Sequence, residues 1–173
     1  MASSIICRVR AASADDAEAI AAIYTHHVLH GTATFDTEPP TPEFWCGKIG
    51  ALAERGWPFL VAEIDGDVAG YAFAAQFRDR AAYARTCENS IYVRPDATGR
   101  GIGTALIDAL LDAAAARGFH EMIAVIGGGE PASVAAHAKA GFRHAGRMER
   151  VGEKFGRLLD TIYMQRSLTV PRA

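Results

Sequence analysis

The chain has 173 residues, 50% hydrophobic and 22% charged, which predicts a single domain over residues 1–173 with a core of its own. Eighteen Lys+Arg against 20 Asp+Glu leave a net charge of −2, which excludes the strongly basic footprint of a nucleic-acid-binding protein. The same composition excludes disordered, collagen-like and disulfide-dense chains.

Taken in chain order, Ile5 to Arg10 reads as a short strand. Ser13 offers an N-cap, and Asp15, Asp16 and Glu18 favour the positive end of a helix dipole. Ile20, Ile23, Tyr24, His27 and Val28 recur at three- and four-residue spacing, which predicts a helix to about His30, closed by Gly31. Pro39, Pro40 and Pro42 make Thr32 to Pro42 a loop, ordered or mobile. A second helix follows Thr41, with Trp45, Ile49 and Leu52 on one face, and stops at Gly56. Phe59 to Ile64 and Val68 to Phe77 read as strands joined by the hairpin turn Asp65-Gly66. Arg78 to Arg85 is a polar, basic loop, and Thr86 to Val93 is a strand that Pro95 ends.

Next comes the turn Thr98-Gly-Arg-Gly-Ile-Gly-Thr104, then an amphipathic helix over Ala105 to Arg117. Phe119 to Ile126 is a strand, Pro131 to Ala140 a short helix, and Phe142 to Val151 and Leu158 to Arg166 a pair of antiparallel strands. The order of the elements predicts an α/β chain, a mixed sheet with helices packed on it.

Cys7, Cys46 and Cys87 are odd in number and far apart, so neither a disulfide framework nor a CxxC site is expected. No apolar run approaches the ~20 residues that span a bilayer. Residues 1–10 lack the basic and apolar regions of a signal peptide, so the expected location is cytoplasmic, away from membranes.

Several features bear on chemistry. Gly99, Gly101 and Gly103 follow a strand and open a helix. There the bare backbone and the free helix N–H groups suit a phosphate, and Arg100 adds charge. The same glycines also suit a plain helix-entry turn. Glu88 stands inside a β-rich run, either as an edge carboxylate in water or as a partly buried general base with a raised pKa. His137 lies in a short helix after a second glycine turn, and by itself reads equally as a surface histidine. His26 and His30 sit four apart, but no acidic or thiol ligand stands at matching spacing, so no metal is expected. Arg78, Arg80, Tyr83 and Arg85 crowd one loop that can grip an oxyanion or simply face water.

Together these segments resemble the GNAT superfamily of N-acetyltransferases through the strand, glycine turn and helix around Gly99 to Thr104. Nearly the whole chain is similar to one branch, the phosphinothricin and methionine sulfoximine/sulfone acetyltransferases. The similarity runs through Gly31-Thr-Ala-Thr-Phe35, Trp57-Pro-Phe-Leu-Val-Ala-Glu63, Asp65-Gly-Asp-Val-Ala-Gly-Tyr71 and Ala82-Tyr83. It continues through Glu88-Asn-Ser-Ile-Tyr-Val93, Ala124-Val-Ile-Gly127, Ser133 to Phe142 and Val151-Gly-Glu-Lys-Phe-Gly156.

The resemblance implies the GNAT fold, an α/β class with a mixed, mostly antiparallel twisted sheet and helices on both faces, with acetyl-CoA as co-substrate held where two neighbouring parallel strands splay apart. Ile91, Tyr92 and Val93 would line the pantetheine through their backbone, and Gly99, Arg100, Gly101, Ile102, Gly103 and Thr104 would hold the pyrophosphate. Glu88 would deprotonate the substrate ammonium, the Val93 N–H would serve the oxyanion, and His137 would act as general acid or proton relay. Phe35, Arg80 and Tyr83 would contact the amino-acid analogue, with Arg78 a weaker candidate of the same kind.

The resemblance further implies a homodimer with sites near the interface, to which Lys154 and Phe155 contribute. Thr98, Glu130 and Leu158 depart from the pattern, where Gln or Arg, Asn and Trp are common. Leu158 would reshape the substrate pocket. The alternatives are acetylation of another small amine or a non-catalytic acetyl-CoA-binding sensor. A polyamine fits poorly, because its cations would meet the arginine-rich loop.

Overall fold

The computed structural model describes residues 7–169. Ile5 and Ile6, the start of the expected first strand, lie outside the described residues. The strands are β1 (Cys7–Ala11), β2 (Phe59–Ile64), β3 (Asp67–Gln76), β4 (Thr86–Val93), β5 (Glu121–Gly127), β6 (Arg143–Lys154) and β7 (Arg157–Ser167). The α-helices are α1 (Ala17–His30), α2 (Pro42–Glu54), α3 (Ile102–Ala116) and α4 (Pro131–Lys139). Seven strands form one sheet in the order β1-β2-β3-β4-β5-β7-β6. Every neighbouring pair is antiparallel except β4 and β5.

Two apolar layers sandwich the sheet. On one face α3 buries Ile102, Leu106, Ile107, Leu110, Leu111 and Ala114 against Ala72, Ala74, Met122 and Ala124, and α4 adds Val134 and Ala136. On the other face α1 and α2 bury Ile20, Tyr24, Val28, Trp45, Ile49 and Leu52 against Val61, Tyr71 and Phe73. Each helix therefore spends its three- and four-residue stripe on the sheet, as periodicity requires. Gly70 lets α3 approach closely. A Cβ there would stand 3.0 Å from the Tyr92 carbonyl oxygen and 3.1 Å from Leu106 Cδ1.

Most element bounds agree with the sequence reading within a few residues. The helix expected from Ser13 opens as a 3-10 turn over Ala14–Asp16, because the Asp16 carboxylate accepts the Ser13 N–H at 2.8 Å and pairs with Arg10. Helix α3 starts at Ile102, three residues earlier than expected. Gly101 supplies the left-handed N-cap, at φ 80°, that lets the helix begin directly after it.

Two features position a site. Strands β4 and β5 pair only from Thr86↔Glu121 to Asn89↔Ala124. Beyond that point β4 continues beside β3 to Val93, and β5 continues beside β7 to Gly127, so a gap opens between them. The second feature is the proline-containing loop, which is ordered by cross-links. Tyr24 Oη donates to Asp36 Oδ2 at 2.7 Å and accepts from Thr34 Oγ1 at 2.6 Å. Lys154 Nζ donates to the Thr34 carbonyl at 2.9 Å, and Thr32 Oγ1 donates to Glu130 Oε1 at 3.0 Å. Among the described residues no helix is long and apolar enough to cross a membrane.

Candidate active site

Strand alternation gives β4 two functional faces. Cys87, Ile91 and Val93 join the layer under α3, whereas Tyr92 joins the layer under α1 and α2. Glu88 and Ser90 share the Tyr92 face. The Glu88 carboxylate is half-buried and has no hydrogen-bond or ion-pair partner among the described residues. Burial raises its pKa above the usual 4.5, and the Arg78 and Lys48 charges oppose that rise. Such a group is a stronger proton acceptor than a surface carboxylate. Cys87, its neighbour, is fully buried and its thiol is pushed up to about 12, so it is not a nucleophile at neutral pH.

The gap lies alongside. Arg94 N donates to the Ala69 carbonyl of β3 at 2.8 Å. Successive N–H groups of an extended strand point to opposite sides, so the Val93 N–H faces the gap. The Val93 carbonyl accepts from His27 Nε2 at 2.9 Å. His27 is therefore fixed on β4, a role its helical spacing did not reveal. His26 and His30 stack at 4.9 Å between ring centroids on the exposed side of α1.

At the far end of the gap α3 presents its first turn. The first helical bond is Ala105 N to the Gly101 carbonyl at 3.0 Å, which leaves the N–H groups of Ile102, Gly103 and Thr104 without helical acceptors. Gly99 and Gly101 require positive φ, at 73° and 80°. Gly103 does not, and a Cβ on it would meet only Val93 Cγ2 at 3.8 Å. The bare face of Gly103 therefore leaves open space where the gap meets the helix start. The Ile102 side chain is buried in the core, so only its N–H is offered, while Arg100 is exposed beside the turn. Thr98 Oγ1 donates back to the Pro95 carbonyl at 3.0 Å and ties the turn to the end of the strand. A dipole end, free N–H groups and Arg100 fit a pyrophosphate, and the strand gap fits an extended chain making backbone hydrogen bonds.

His137 lies on the face opposite Glu88. It is buried, its Nδ1–H donates to the Ser133 carbonyl at 2.8 Å, and its Nε2 accepts from Asn89 Nδ2 at 3.1 Å. Burial lowers its pKa below 6.5. In this arrangement the Nδ1 proton is engaged by the Ser133 carbonyl and Nε2 is the accepting nitrogen. The His137 ring-proton resonance, assigned by its loss in His137→Gln, is expected to stay at its neutral position as pH falls through 6.5. A titration midpoint at or above 6.5 would restore the acid role.

The structure does not bring the candidate substrate residues together. A pocket of about 120 Å³ lies under the ordered loop, lined by Tyr24, Asp36, Lys48, Phe73, Ser90 and Tyr92 among others. Phe35 is not among its lining residues. Its ring lies over Gly127 and Gly152, where a Cβ on Gly127 would stand 3.0 Å from Phe35 Cε1. Arg80 and Tyr83 are exposed on the β3–β4 connection, outside this pocket, and Tyr83 leans on Phe77 at 5.7 Å. Of the two arginines, Arg78 is the one whose charge acts on Glu88. Leu158 is exposed on the β6–β7 hairpin and does not line this cavity. Among the described residues no group of three His, Cys, Asp or Glu is placed to hold a metal.

Residues 20–142 match the profile of the acetyltransferase (GNAT) family. The chain is 44% identical over 163 residues to a phosphinothricin N-acetyltransferase of Alcaligenes faecalis, covering 94% of this chain and 83% of that protein. It is 39% identical over 166 residues to an L-methionine sulfoximine/L-methionine sulfone acetyltransferase of Pseudomonas paraeruginosa, covering 95% and 96%. The crystal structure of a phosphinothricin acetyltransferase from Sinorhizobium meliloti in complex with acetyl-CoA superposes with a TM-score of 0.91 at 43% identity, over 93% of this chain and 88% of that one.

Proposed function

The chain belongs to the GNAT acetyltransferase family, and from that premise we propose that it moves the acetyl group of acetyl-CoA to the α-amine of a small amino-acid analogue. Phosphinothricin, methionine sulfoximine and methionine sulfone are the acceptors proposed, in keeping with the names of its relatives. The observation that carries the reading is the half-buried, unpartnered Glu88 carboxylate on β4, one strand turn from a gap that ends on the open N-terminus of α3.

Acetyl-CoA supplies an activated thioester. The backbone of Ile91, Tyr92 and Val93 lines its pantetheine, and Gly99 to Thr104 with Arg100 hold its pyrophosphate. Glu88 takes the proton of the acceptor ammonium, directly or through water. The freed amine forms the new C–N bond at the thioester carbonyl as the C–S bond breaks, the sulfur leaves as thiolate, and the second nitrogen proton passes through water to that thiolate, giving the neutral amide and the free thiol. The Val93 N–H, facing the gap, serves the developing oxyanion. His137 is assigned a positioning part: it fixes the Asn89 amide where β4 leaves β5. Phe35 walls the acceptor side of the gap, and Arg80 and Tyr83 meet the head group at the outer rim.

The proposal includes a homodimer. Met148, Val151, Phe155 and Leu158 are exposed apolar side chains on the one β6–β7 hairpin, a surface suited to a second copy. It also includes a cytoplasmic setting, where the free thiols of Cys7, Cys46 and Cys87 remain reduced.

Thiol release from acetyl-CoA tests the reading on phosphinothricin, methionine sulfoximine, methionine sulfone, the common amino acids and spermidine. Saturable turnover on at least one of the first three is expected. Silence on those three with turnover elsewhere overturns the acceptor class. Silence throughout, with acetyl-CoA still bound, favours a sensor.

A further inference from the structure

We propose that Lys48 of α2 is a specificity-determining residue that receives the carboxylate of the amino-acid acceptor. The inference rests on the acceptor class proposed above. Lys48 sits mid-helix, where a lysine ordinarily extends into water. Here it is half-buried and lies over ring faces, with Nζ 4.3 Å from the Phe73 centroid and 5.7 Å from those of Phe44 and Trp45. It lines the pocket under the ordered loop beside Asp36, Ser90 and Tyr92.

Its electrostatic surroundings are incomplete. Asp36 and Glu88 both act on its charge at a distance, yet no carboxylate forms a salt bridge with it among the described residues. Burial accordingly lowers its pKa. A half-buried ammonium with no contact anion carries an unrecovered desolvation cost, which an incoming carboxylate would offset. The same pocket wall holds a second unmet donor, the buried indole N–H of Trp45, which has no hydrogen-bond partner among the described residues.

Acceptor stereochemistry supplies the rest. In an α-amino acid the amine nitrogen and the nearer carboxylate oxygen are roughly 3 Å apart. An amine placed at Glu88 therefore puts its carboxylate within a few ångströms of that residue. Among the described residues the cations that act on Glu88 are Arg78 and Lys48. The Arg78 guanidinium is exposed and stacked 4.7 Å from the Phe77 centroid. Lys48 is half-buried over Phe73, which pairs across the sheet with Ser90, two residues from Glu88 on the same face of β4. This divides the acceptor between two anchors: Lys48 for the carboxylate, and the arginine-bearing loop for the head group. A point charge on a flexible stem suits the first task, and a planar guanidinium suits a tetrahedral oxyanion.

The test compares wild type, Lys48→Met and Lys48→Arg on whichever of the three analogues turns over best and on its α-carboxamide. Methionine keeps the aliphatic stem over Phe73, and circular dichroism and the KM for acetyl-CoA report on the fold. In Lys48→Met the KM for the amino acid is expected to rise about 10–100-fold, the range of a lost charged hydrogen bond. The carboxamide KM should stay within about twofold, and Lys48→Arg should recover most of the loss. An equal fall on both acceptors, or an unchanged KM with the acid limb of the pH profile displaced, overturns the assignment, because Lys48 then acts only through Glu88. A wild type silent on all three analogues overturns the acceptor class itself, and this inference with it.

Discussion

Glu88→Gln is expected to lower kcat/KM by about 10²–10⁴ while leaving acetyl-CoA binding intact, since that is the range a positioned proton acceptor contributes. Glutamine keeps the shape and the half-buried packing of Glu88 and removes only its capacity to hold a proton. The binding surface for acetyl-CoA is built from different groups, the α3 N-terminus and the gap edge, so its affinity should not move. The pH profile gives an independent sign. The base works when ionised, so kcat/KM rises with pH through the Glu88 pKa, which burial places above 4.5. In Glu88→Gln that acid limb disappears. Steady-state thiol release from pH 5 to 9, with calorimetric titration of acetyl-CoA, measures both. A variant that keeps its turnover and its acid limb would place the base elsewhere.

The second large effect is steric. Gly152→Val is expected to raise the KM for the amino-acid acceptor by about 10–100-fold, a size typical of an ångström-scale misplacement. A Cβ at Gly152 would overlap the Phe35 ring, which lies across that glycine and Gly127. The ring must leave, and its loop cannot follow freely. Thr34 on one side of Phe35 is held by Tyr24 and Lys154, and Asp36 on the other side is held by Tyr24. The strain therefore reaches Asp36, which lines the Lys48 pocket. Valine suits a strand, and Phe35 is 38% exposed, so little core is disturbed. Phe35→Ala provides the control: in its background Gly152→Val should add little. An acceptor KM in Gly152→Val within twofold of wild type would show that the loop position does not govern acceptor binding.

The glycine turn and Glu88 were legible because their signals are local. A positive-φ glycine run before an amphipathic helix is written in consecutive residues, and a carboxylate in a β-rich strand is conspicuous by its cost. Lys48 and His27 gave no such signal. Each occupies an ordinary helical position, and each acquires meaning only from a partner far along the chain, Phe73 for Lys48 and the Val93 carbonyl for His27. His137 was found, but its hydrogen bonds were not, because Asn89 lies 48 residues away. The resemblance ranks Arg80 above Arg78, yet Arg78 is the arginine felt at Glu88, because that depends on how the connection folds over.

By itself the sequence determined the elements, their approximate bounds, the hairpins and the fold class, because hydrophobic period, caps and turn residues act over a few positions. It also set the two faces of β4, since alternation is a property of any extended chain. Only the tertiary structure decided where β4 parts from β5, which residues pin the proline-containing loop, and which charges share a pocket with Asp36. Those outcomes depend on contacts between residues distant in the chain, such as Lys154 with Thr34, 120 positions apart. Their energies exist only once the sheet has assembled and excluded water, and no local pattern of residues encodes them.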